Sequence, residues 1–151
     1  MKNEDELYNL IVIDRQTLRS VSLAKLKAAK ILFNSRDFDT AGYLLGYVVE
    51  CALKASVCKR LNLNQYPDTG RHKDVFASHD FDRLLILSGH AKEIDLSVNP
   101  DLFQNWSILT KDWKPETRYN ENVYNDHVVK DKIIALEDRS NGFLSWIKRK
   151  W

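Results

Sequence analysis

Three prolines and five glycines are all the backbone punctuation in 151 residues. That scarcity leaves long uninterrupted segments, and none alternates strictly enough to read as a strand. Cysteine is scarcer still. Cys51 and Cys58 lie seven apart, about two helical turns, so they cannot bridge within one straight helix. No CxxC or Cys/His zinc spacing accompanies them. They read as small buried residues in an intracellular, reducing home. No Gly-rich phosphate loop, HExxH, nucleophile elbow or paired-carboxylate metal signature is present, so neither a metal nor a cofactor is expected. The first ten residues, MKNEDELYNL, are acidic and do not form a signal peptide. The longest apolar run, around Tyr43–Val49, is broken by Gly46 and ended by Glu50, too short to cross a bilayer. The expectation is a soluble, cytoplasmic protein with no membrane partner.

What is present is the composition of a folded domain: 44% apolar and 29% charged residues. A net charge of +2 permits a nucleic-acid partner without arguing for one. The length suits a single domain, residues 1–151. Periodicity predicts an all-α, antiparallel, up-and-down bundle of about five helices. An amphipathic segment covers Glu4–Arg19. Ser22 reads as the N-cap of a helix reaching Asn34. A short link leads to a helix from Asp39 or Thr40 to Leu61, and a long polar loop follows over 62–78. Further helical segments cover Asp80–His90 and the residues between Pro100 and Pro115. The last runs from Asn125 to Lys150 and is weakened at Gly142.

The stretch Ala41–Ala55, AGYLLGYVVECALKA, is apolar nearly all round and so reads as the central helix. Gly42 and Gly46 share one stripe. Each costs about 0.5–1 kcal/mol against alanine, which close approach of a neighbouring helix, from this protomer or a second, must offset. Glu50 and Lys54 stand at i, i+4 in the favourable order. They are either a solvated edge or, if buried, the mark of an interface, groove or internal network.

This stretch resembles the core helix of the HEPN (higher eukaryotes and prokaryotes nucleotide-binding) family. The preceding FNSRDFDTA is similar to the family's turn into that helix. SHDFDRLLILSG is similar to its His-Asp-Leu helix, here His79, Asp80, Leu84, Leu85 and Gly89. WSILTKDWKPETRY is similar to its Trp…Arg-Tyr segment, here Trp106 or Trp113 with Arg118 and Tyr119. The resemblance covers residues 22–146. It implies a small helical bundle, commonly a homodimer. The associated functions are nucleotide binding, metal-independent ribonuclease toxins, and partnership with minimal nucleotidyltransferases in toxin–antitoxin pairs.

Nuclease members pair an Arg with a His a short interval later, often with a polar residue after the Arg. Here eight residues separate Arg118 from His127, and Asn120 stands two after the Arg. Arg71 and His79 make a second, weaker pair. In the nuclease reading Arg118 stabilises a phosphorane and His127 moves a proton across a dimer. In the binding reading Glu50, Lys54, Arg118, Tyr119 and His79 line a groove for a nucleotide, an RNA end or a protein partner, with Arg118 as phosphate clamp. Each residue also has a structural reading. Arg118 pairs with Glu50 or a carbonyl, His127 is a surface or cap residue, and His79 bonds locally at its helix start. Tyr43, Tyr47 and Tyr119 either stack a base or pack in the bundle.

Overall fold

The computed structural model describes residues 13–151, and the first helix among them is long. Helix α1 spans Arg15–Asn34. Asp14 caps it, accepting the Thr17 N–H at 2.7 Å and so satisfying one donor of the open first turn. Ser22 is not an N-cap. It lies inside α1, fully buried, and its hydroxyl donates to the Val48 carbonyl at 2.8 Å. A neighbouring helix supplies the acceptor that a cap serine finds in its own first turn. The Glu4–Arg19 segment lies mostly outside the described residues, and from Arg15 onward it belongs to α1.

Helix α2, Phe38–Arg60, starts at Asp37, whose carboxylate accepts the Thr40 N–H at 3.2 Å. It is the central helix, packed most extensively on α1 and also touching the later helices. By length and composition α2 could cross a membrane, contrary to the expectation of too short a run. Its most apolar window is 78% buried within the bundle, as the core helix of a helical bundle is.

The loop after α2 contains a single turn, α3, Lys73–Phe76. Helix α4, Phe81–Leu87, is capped by Asp80 and followed by Gly89 at φ +78°. Helix α5, Pro100–Thr110, is capped by Asn99. It stops before Pro115: Asp112 takes a positive φ of 65°, and Trp113 leaves the helix. Pro115 instead opens a 3-10 turn, Pro115–Tyr119. The expected final helix is two, α6 Asp126–Glu137 and α7 Phe143–Ile147. Between them the Asp138 carboxylate accepts the N–H groups of Ser140 and Asn141. A Cβ at Gly142 would collide with the Asp138 backbone, so the chain turns sharply there. The C-terminal Trp151 is buried, with the Arg19 guanidinium 5.6 Å over its ring.

The architecture is an all-α helical bundle, with seven helices and no strand among the described residues. Its buried side chains form one cluster, to which α2 contributes the greatest share.

Candidate functional site

The two glycines of α2 admit aromatic rings rather than a helix backbone. A Cβ on Gly46 would sit inside the Trp113 indole, and one on Gly42 would overlap the Tyr124 ring. Both rings come from the connection between α5 and α6. Trp113 is pinned further. Its Nε1–H donates to the Tyr43 carbonyl at 3.0 Å, and its ring stacks on Phe81 at 5.0 Å between centroids. Asp39, in the first turn of α2, accepts the N–H groups of Asn122 and Tyr124 at 2.7 and 2.8 Å. The segment from Trp113 to Tyr124 is thus strapped across α2, and it carries Arg118, Tyr119 and Asn120.

Tyr43, Tyr47, Glu50 and Lys54 fall on one face of α2, at i, i+4, i+7 and i+11. The hydroxyls of Tyr43 and Tyr47 share a hydrogen bond at 2.9 Å. The Arg118 guanidinium lies 4.8 Å over the ring of Tyr119 and lines one cavity with Tyr43. Its pKa is raised above the ordinary arginine value, first by hydrogen bonding to Tyr43 and then to Tyr119. Burial first, then the bond to Tyr43, pushes the Tyr47 hydroxyl up to about 12. The Glu50 carboxylate adds to that rise and the Arg118 cation opposes it.

At the other end of the row Glu50 is only 4% exposed. Its two carboxylate oxygens are both used. Oε1 accepts from Lys54 Nζ and Oε2 meets His79 Nδ1, each at 2.8 Å. Glu50–Lys54 is therefore an internal network rather than a solvated edge. Such a carboxylate is tolerable in a core only with partners of this kind. The Lys54 ammonium also lies 5.0 Å from the centre of the Tyr66 ring. His79 does not bond locally at its helix start, where Asp80 takes the capping role. It reaches back to α2, and with Nδ1 engaged by Glu50 its Nε2 is left for a ligand.

Two cavities flank the strap. One, of about 370 Å³, is lined by His79, Asp80, Asp82, Trp113 and Lys114. The other, of about 360 Å³, is lined by Asp39, Tyr43, Thr117, Arg118, Asn120 and Glu121. Tyr119 is 77% exposed beside it. The structure thus gathers Glu50, Lys54 and His79 at one end of the row and Arg118, Tyr119 and Asn120 at the other. Arg118 does not pair with Glu50. His127 stands apart: it is exposed in the first turn of α6, does not line the Arg118 cavity, and makes no side-chain hydrogen bond among the described residues.

Some residues of the site escape sequence reasoning. Trp113 falls in the helical segment expected between Pro100 and Pro115, and nothing in its neighbours says that it wedges against a glycine 67 positions earlier. Asp39 has the composition of a helix-start residue, but its acceptors serve a distant loop. Neither thiol adds nucleophilic chemistry, since burial is the main cause pushing Cys51 and Cys58 up to about 11. Among the described residues no group of three His, Cys, Asp or Glu side chains is placed to hold a metal ion. No family model, curated protein or solved structure matches this chain.

Proposed function

We propose that this chain is a HEPN-type module that binds a nucleotide or RNA along the α2 face. The observation that carries the reading is the polar row Arg118–Tyr43–Tyr47–Glu50–His79 with a cavity at each end. Guanidinium beside an exposed aromatic ring is the pairing single strands use: the cation meets phosphate and the ring meets a base face. The reserved Glu50 network holds His79 and Lys54 in place and keeps a buried charge from being orphaned. The same reading carries a homodimer and, in a toxin–antitoxin setting, a nucleotidyltransferase-like partner. Metal-independent cleavage by Arg118 and His127 is the alternative. It requires a second protomer to bring a His127 to Arg118, since the two share no cavity or bond within one chain.

Calorimetric titration with a short RNA pool at low salt tests the binding reading. Heat of binding that disappears in Arg118→Ala supports it, and an equal signal from both proteins, or none from either, refutes it. RNA cleavage in EDTA that is lost in both Arg118→Ala and His127→Ala would move the assignment to the ribonuclease.

A further inference from the structure

The two cavities on the α2 face are too far apart for one small group to fill both. Arg118 shares a cavity with Tyr43, and His79 bonds to Glu50. Tyr43 and Glu50 are seven residues apart on one helix face, about 10 Å. That span is the length of about three residues along a stacked strand, at about 3.4 Å each. The two ends also differ in chemistry. The Arg118 end offers a guanidinium for phosphate and the exposed Tyr119 ring for stacking. The His79 end mixes Lys114 with two carboxylates, Asp80 and Asp82. Asp80 has one oxygen committed to capping α4 through the Arg83 N–H, and the Asp82 side chain makes no hydrogen bond among the described residues. A second phosphate would meet those carboxylates. The amino edge of a base would instead find acceptors there: the free oxygen of Asp80, the Asp82 carboxylate and the His79 Nε2.

Building on the binding reading above, we propose that the ligand is a single-stranded oligonucleotide of about three residues. Its phosphate sits on Arg118, and an amino-bearing base sits in the cavity beside His79 and Asp82. Glu50, itself held by Lys54, positions the imidazole. The seat selects adenine, cytosine or guanine over uracil, because uracil carries no exocyclic amine.

The test is calorimetry or fluorescence anisotropy at low salt with AMP, the trinucleotide ApApA and the trinucleotide UpUpU. Wild type is expected to bind ApApA at least tenfold more tightly than AMP or UpUpU. His79→Asn keeps an N–H for Glu50 but removes Nε2, and Asp82→Asn removes the carboxylate at an exposed site. Each is expected to bring ApApA affinity down at least tenfold, to the level of UpUpU, and to leave the weaker UpUpU binding as it is, since uracil offers the seat no amine. Equal affinity for ApApA, UpUpU and AMP overturns the proposal, as does ApApA binding indifferent to both substitutions. AMP and ApApA binding that survives in those variants but vanishes in Arg118→Ala keeps the binding module and rejects the base seat. No binding of any probe to wild type rejects both.

Discussion

Replacing a helix glycine by alanine ordinarily stabilises, by about 0.5–1 kcal/mol. Gly46→Ala should do the opposite. Its Cβ would fall inside the Trp113 indole, and that ring cannot easily move. It is stacked on Phe81, edge-on to Tyr47, and hydrogen-bonded to the Tyr43 carbonyl. Overpacking against a fixed group costs about 1–3 kcal/mol, and displacing the indole also loses a hydrogen bond worth about 1 kcal/mol. Set against the propensity gain, the net loss is about 1–3 kcal/mol. At this chain length that is a fall in melting temperature of roughly 2–12 °C. Urea denaturation followed by tryptophan fluorescence measures it. The same substitution in a Trp113→Ala background should be neutral or stabilising, because the obstacle is gone and only the propensity term remains. A Gly46→Ala protein as stable as wild type would refute the wedge, and so would an equal loss in both backgrounds.

Four further outcomes follow from the same structure. Lys54→Met leaves the buried Glu50 carboxylate with His79 as its remaining partner and should cost about 1–3 kcal/mol, part of which Glu50→Leu should recover in the double variant, measured by urea denaturation. Burial depresses the Lys132 pKa to about 8, so the unfolded chain binds more protons between that pH and the ordinary lysine value. Stability should therefore rise with pH above about 8, by up to about 3 kcal/mol, relative to a Lys132→Met protein. A wild-type stability profile parallel to that of the variant would contradict this. Thiol alkylation at pH 8 should be slow in the native protein and complete in urea, since burial holds both cysteines protonated. Asp39→Asn should loosen the strap and raise amide exchange at Asn122 and Tyr124, with little change in α1.

Much of the architecture was legible because burial writes itself as periodicity. The near-continuous apolar character of Ala41–Ala55 identified the central helix, and Asp80 and Asn125 stood where helix starts were read. Ser22 misled because a serine before an apolar repeat looks the same whether its hydroxyl finds its own first turn or the carbonyl of Val48. Periodicity alone carries the final helix through to Lys150 with at most a kink at Gly142, whereas the chain breaks into two helices there. The run Asp138–Ser140–Asn141–Gly142 is turn chemistry, with one carboxylate holding two successive N–H groups. At the site, Glu50 and Lys54 could be paired from spacing, but the third member, His79, lies 29 residues on. Local pattern does not encode which distant loop returns to a helix face. The same limit hid Trp113. Its role depends on a glycine gap and a free carbonyl meeting in space, neither visible from the residues around it.

The most direct test of the α2 face as the ligand surface is amide and side-chain resonance mapping on addition of a short RNA at low salt. The account predicts shifts confined to Tyr43, Tyr47, His79, Asp82, Arg118 and Tyr119, with Leu23, Ile31 and Ile134 on the exposed apolar side of α1 and α6 unmoved. Shifts that gather on α1 and α6 instead, or that are absent everywhere, would contradict it.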